Sequence, residues 1–158
     1  MSSEKSKRAI DPTLSPGRRG TVYPEPFKAE VADREKWKLG DLYGLTQFGV
    51  NLVDLAPGAW SAQRHWHTRE DELIYVLEGE LHLVTDSGAQ ALTAGMVAGF
   101  PAGQADGHHL VNWSGKPARY LEIGARYQDD EAHYPDIDLF LEKRGGEFRF
   151  RHKNGDPY

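Results

Sequence analysis

The sequence predicts an all-β protein, a sandwich or barrel of short strands, and three observations carry that prediction. Short apolar and β-branched runs recur from residue 46 onward, as in QFGVNLVDL, ELIYVLEGELHLVTD and ARYLEIGARY. Turn chemistry separates them at Pro57-Gly58, Glu78-Gly79, Asp86-Ser87-Gly88 and Ser114-Gly115-Lys116-Pro117. The 17 glycines and 9 prolines among 158 residues point the same way, because helix interiors tolerate neither well.

Taken in order, residues 1–20 are polar, basic and poor in large apolar side chains, which predicts a flexible tail. Five cations there are too few to argue for an anion-binding arm. Residues 21–45 form an N-terminal extension in which KAEVADREKWKL carries helix formers enough for one or two amphipathic turns. The core spans 46–125. QFGVNLVDL is a strand ended by Pro57-Gly58, and AWSAQRHWHT is a second extended stretch. ELIYVLEGELHLVTD reads as two strands joined at Glu78-Gly79, AQALTAGMVAGFPAG is punctuated by glycine, and HHLVNW and ARYLEIGARY are two more strands. Residues 126–158 are a C-terminal extension. There EFRFRH puts Phe148 and Phe150 on one face and Arg149 and Arg151 on the other, the pattern of a half-buried edge strand.

Composition excludes several classes. With no cysteine there is no disulfide scaffold, thiolate nucleophile or Cys-type zinc or iron–sulfur site. A net charge of -5 argues against nonspecific nucleic-acid binding, which needs clustered cations. No apolar run approaches the roughly 20 residues of a membrane span, and the N-terminus lacks the apolar stretch of a signal peptide. A cytoplasmic single-domain protein without nucleic-acid or membrane partners is therefore expected.

The chemistry concentrates in two segments. In the first, Gly58-AWSAQR-His65-Trp-His67-TRED-Glu72-LIYVLE-Gly79, an HxH on a strand sends both imidazoles to one face because side chains alternate. Two such imidazoles can share a metal ion, and Glu72, opening the next strand, can add a carboxylate. With 7 histidines, chance alone supplies about 0.3 HxH per chain; adding Glu and Gly at fixed offsets cuts that to roughly 0.003, which makes the combination specific. The second segment runs Gly95-MVAGF-Pro101-Ala-Gly103-QAD-Gly107-His108-His109-Leu-Val-Asn112, with His108, Leu110 and Asn112 on one strand face.

Together these segments resemble the two signature motifs of the cupin superfamily. The first fits apart from one extra residue between Gly58 and His65; in the second, Gly95, Pro101, Gly103 and Asn112 fit. Counting forward from Gly103 places Asp106 at the ligand position, whereas counting back from Asn112 places His108 there. The backward count is preferred, since a loop insertion costs little and the strand sets the face, with His109 and Asp106 as competitors. The resemblance implies a jelly-roll (double-stranded β-helix) barrel and one divalent metal ion (Fe, Mn, Zn or Ni) held by His65, His67, Glu72 and His108. A metal-dependent enzyme on a small organic molecule is expected, a dioxygenase or a lyase or isomerase. A non-catalytic small-molecule sensor is the alternative.

Around the ligand set, Gln63 lies two residues before His65 and is expected to face the same cavity, as is Asn112 beside His108. Phe100, Gln104 and Asp106 flank the glycine-rich loop; Phe100 is a pocket residue and Asp106 a candidate general base. Trp66, Tyr75 and His109 fall on faces turned away from the metal. A homodimer is the expected assembly, symmetric dimers being the commonest oligomers.

Overall fold

The computed structural model describes residues 9–158. The strands are β1 (Arg18–Arg19), β2 (Arg34–Lys38), β3 (Phe48–Leu55), β4 (Trp66–His67), β5 (Glu72–Glu78), β6 (Glu80–Thr85), β7 (Gly88–Thr93), β8 (Val97–Phe100), β9 (His109–Val111), β10 (Ala118–Ala125), β11 (Asp130–His133), β12 (Phe140–Arg144) and β13 (Glu147–Arg151). A single helical turn, α1 (Leu39–Leu42), follows β2. The first sheet runs β1-β2-β3-β10-β5-β8, the second β7-β6-β9, and the third β13-β12-β11-β4, all antiparallel. This is the all-β jelly roll that the sequence predicts.

Alternation builds the core. Val53 and Leu55 of β3, Ile74 and Val76 of β5 and Tyr120 of β10 face Leu81 and Leu83 of β6, Leu92 of β7 and Leu110 of β9. The opposite faces of β5 and β8 leave Leu73, Tyr75, Leu77 and Val97 exposed. A smaller core joins the two extensions: Tyr23 and Val31 pack with Ala132, Tyr134 and Leu139. No helix among the described residues is long and apolar enough to cross a membrane.

The structure adds detail to two expectations for the N-terminal region. Residues 1–8 of the expected tail lie outside the described residues, but Arg18 and Arg19 pair with Lys36 and Glu35 as a real strand. The cause is the open edge of β2. Glu35 accepts from the Gly17 N–H at 3.0 Å and from Arg19 at 3.0 Å, and the Trp37 indole donates to the Ser15 carbonyl at 2.8 Å. The helix formers of KAEVADREKWKL make only a 3-10 turn at Ala29–Val31 before the chain enters β2. Pairing of Trp37 with Leu52 and of Lys36 with Val53 overrides local helix propensity.

Gly79 shows how tightly a turn is specified. Its φ is +80°, and a Cβ there would stand 2.9 Å from both the Ala118 Cα and the Pro117 carbonyl oxygen. Left-handed strain and overpacking act together, so Gly79→Ala is expected to cost about 3 kcal/mol. Urea denaturation checks this; a loss below about 0.5 kcal/mol would show that the turn relaxes freely.

Candidate metal centre

Three pieces of local structure bring the site together. His65 and His108 face each other across an isolated bridge: the His65 N–H donates to the His108 carbonyl at 3.2 Å, and the reverse bond is 2.9 Å. His67 lies on β4, two residues on and therefore on the same face as His65. Glu72 opens β5, where it pairs with Phe100 on one side and Gly124 on the other.

The Glu72 carboxylate is the focus. His108 Nε2 lies 2.6 Å and His65 Nε2 3.8 Å from its Oε2, and His67 Nε2 lies 3.3 Å from its Oε1. Ring centroids of His65 are 5.0 Å from those of both His67 and His108. The structure thus brings His65, His67, Glu72 and His108 together. It places His109 elsewhere: that ring lies edge-on to Trp60 with centroids 4.7 Å apart, and its Nδ1 bonds the Ala62 carbonyl at 2.8 Å. His109 is buried on that side, turned away from the cluster.

The donor set fits a divalent ion. His65 Nδ1 is 2.7 Å from the Gln63 carbonyl, which can only accept, so Nδ1 carries the proton and Nε2 keeps its lone pair. His67 Nδ1 is likewise tied to Asp130 Oδ2 at 2.6 Å. Burial opposes ionisation of Glu72, but hydrogen bonds from His108, His65 and His67 outweigh it and hold the carboxyl well below its usual range. Burial disfavours the His67 cation, yet its bonds to Asp130 and Glu72 prevail and its pKa is pushed up to about 10. For His108 burial wins and lowers the pKa despite Glu72. A cation taking the place of these protons gives Glu72 its counter-charge, and binding releases protons. Three imidazoles and one carboxylate suit iron, manganese, nickel and zinc alike.

Asp130 and its neighbours carry no motif and escape sequence reasoning. Asp130 Oδ1 accepts from the Arg69 N–H at 2.9 Å and from Thr68 at 3.2 Å, which leaves Oδ2 aimed at His67. Glu70 completes a second acidic group beside His67, but the Lys143 ammonium already occupies it at 2.6 Å. A ligand's orienting partner typically contributes ten- to hundred-fold in metal affinity, so Asp130→Asn is expected to weaken metal binding about tenfold with the fold intact. Competition with a chromogenic chelator measures it, and an unchanged affinity would remove Asp130 from this role.

The remaining sequence candidates divide. A cavity of about 180 Å³ opens on the cluster, lined by His67, Glu72, Phe100, Gln104, Asp106 and His108 among others. Phe100 stacks on His108 with rings 3.6 Å apart and 1° from parallel. Asp106 reaches the same cavity while its Oδ1 accepts from the Asp86 N–H at 2.8 Å. Trp66 stacks on His133 with ring centroids 4.5 Å apart and also lines the edge of this cavity. Gln63 is corrected: its Nε2 donates to the Phe27 carbonyl at 3.2 Å and to Glu30 at 3.3 Å, because the N-terminal extension covers that side of the strand. Asn112 is corrected too. Its Nδ2 donates to the Leu55 and Lys116 carbonyls, each at 2.8 Å, and its Oδ1 accepts from the Ser114 hydroxyl at 2.7 Å.

The Cupin domain model matches residues 51–124. Among solved structures, a sugar phosphate isomerase of the cupin superfamily from Silicibacter pomeroyi DSS-3 is 41% identical, with 96% of each chain covered and a TM-score of 0.91. A protein of Acidithiobacillus ferrooxidans ATCC 23270, provisionally named a sugar phosphate isomerase, is 30% identical over 79% of this chain and 80% of that one, with a TM-score of 0.72. The polyketide cyclase RemF of Streptomyces resistomycificus shares the fold at 23% identity, 75% and 79% coverage and a TM-score of 0.59. No curated protein is similar enough to match the chain. With near-complete coverage of a 41% identical relative and the two histidine-bearing segments folded against each other, the chain belongs to the cupin superfamily.

Proposed function

We propose that this protein is a metal-dependent isomerase that interconverts the aldose and ketose forms of a sugar or sugar phosphate. The observation that carries the reading is the 41% identity, over 96% of both chains, to the Silicibacter pomeroyi sugar phosphate isomerase. His65, His67, Glu72 and His108 would hold the ion, which when bound supplies a Lewis acid for a carbonyl or hydroxyl oxygen. Isomerisation moves a proton from C2 to C1 and a hydroxyl proton from O2 to O1, with no oxidant consumed. Asp106 is the proton acceptor in this reading, since it lines the open cavity as a carboxylate. Phe100 fixes the His108 ring and forms an apolar wall. Neither lysine nor arginine lines the cavity, so a phosphate group would stay outside its mouth while the carbonyl end enters.

The test uses full-length protein loaded in turn with manganese, iron(II), zinc and nickel. Aldoses of four to six carbons and their phosphate esters are followed by NMR in deuterium oxide. At least one is expected to convert, with solvent deuterium entering the product. Asp106→Asn should slow that conversion about 100-fold at unchanged metal content. Absence of conversion with every sugar and every metal would overturn the reading.

A further inference from the structure

Behind the histidine cluster lies a second, inner cavity of about 40 Å³, walled by Ser61, His65, Glu72, His108, Tyr120 and Glu122 among others. It has room for one or a few heavy atoms. Tyr120 is completely buried on β10, opposite Val76 of β5, and its Oη meets no hydrogen-bond partner. A buried phenol without a partner is costly, and the few found in native proteins call for an explanation in what they bind. The Ser61 hydroxyl is the polar neighbour of Tyr120 across the cavity; it accepts the Leu110 N–H at 2.8 Å and keeps its own proton to donate.

Glu122 stands two residues along the same strand, facing the same interior. Its two bonds, from Lys36 Nζ at 2.8 Å and Asn51 Nδ2 at 2.9 Å, both fall on Oε1. Burial opposes its ionisation, but the Lys36 ammonium prevails, so Glu122 is a carboxylate with acceptor capacity left on Oε2. The cavity therefore offers a neutral donor in Tyr120, backed by the Ser61 hydroxyl, and one anionic acceptor in Glu122. A carbonyl would use only the donor. A phosphate or carboxylate would meet both Glu122 and Glu72. A hydroxyl uses both.

We propose that the inner cavity is a subsite for a single hydroxyl group of the ligand, which accepts a hydrogen bond from Tyr120 Oη and donates one to Glu122 Oε2. The ligand is then a polyhydroxylated molecule whose entering, carbonyl-bearing end is uncharged and sends a neighbouring hydroxyl into the subsite, with any charged group left at the outer mouth. This deepens the isomerase reading and rests on it for the side from which the ligand enters.

The test is binding, not turnover, and uses xylitol, a polyol with no carbonyl to isomerise. Manganese-loaded full-length protein is titrated with xylitol by water-proton relaxation, wild type beside Tyr120→Phe. The wild type is expected to bind, and the variant about tenfold more weakly, at equal manganese content and melting temperature. A crystal of the complex should place a xylitol oxygen within hydrogen-bond distance of both Tyr120 Oη and Glu122 Oε2. Equal binding by the variant, no binding by the wild type, or a melting temperature several degrees lower in the variant would each overturn the subsite. Xylitol binding that depends on Tyr120, without conversion of any sugar, would sink the isomerase reading and keep the subsite. Sugar conversion indifferent to Tyr120→Phe would do the reverse.

Discussion

His108→Ala is expected to lose its metal, and His109→Ala to keep it. His108 Nε2 lies 2.6 Å from Glu72 Oε2 and its ring is 5.0 Å from that of His65, so it shares the focus of the cluster. Because removing a mere orienting partner weakens metal sites ten- to hundred-fold, removing a direct ligand should exceed about 100-fold. His109 turns the other way, toward Trp60 and the Ala62 carbonyl. Its loss should cost about 1–2 kcal/mol of stability and leave metal stoichiometry unchanged. Elemental analysis of the two variants, purified without a histidine tag, decides between adjacent residues. Metal lost from His109→Ala and retained in His108→Ala would reverse the assignment. Glu72→Gln should weaken binding less than either His65→Ala or His67→Ala, because the amide keeps an oxygen for the ion.

Asn112→Ala is expected to have the largest effect on stability of any polar substitution described above. Asn112 is fully buried and spans the turn between β9 and β10. Alanine would leave the Leu55 carbonyl and the Ser114 N–H without their Asn112 partner, and the Lys116 carbonyl and Ser114 hydroxyl with only each other. Stranded buried groups cost roughly 1–3 kcal/mol each, and partial hydration at this turn reduces the sum, so a loss of about 3–4 kcal/mol is expected. Chemical denaturation measures it. Metal bound per folded molecule should not change. A variant that is stable but fails to bind a ligand would restore Asn112 to the pocket.

The parts of this site legible in the sequence are those set by short-range geometry. Alternation along β4 puts His65 and His67 on one face, and the short step to β5 delivers Glu72 beside them. Counting backward from the strand leads to His108, which lies in the cluster, because β9 holds its register more strictly than the loop before it. Gln63 obeys the same alternation and still ends elsewhere, since its partners Phe27 and Glu30 come from a distant segment with no motif of its own. The strand β1 was hidden for the same reason: a polar, basic stretch acquires structure only against the edge that β2 presents. Tyr120 and Glu122 did leave a trace. In ARYLEIGA, a glutamate on the inward face of a strand between apolar neighbours is the kind of polar intrusion that marks a binding interior.

The pairing of β4 with β11 also sets a schedule. His67 and the Asp130 that orients it are 63 positions apart, and the strand that pairs with β4 is β11. At synthesis rates of 5–20 residues per second, roughly 3–13 s separate the emergence of the two. For that interval the nascent chain carries His65, His67 and Glu72, joined later by His108, without the residue that orients the His67 ring. In the metal-binding reading, a His67 ring held in place for an ion is thus a late event in the life of each new molecule, governed by the arrival of the C-terminal sheet.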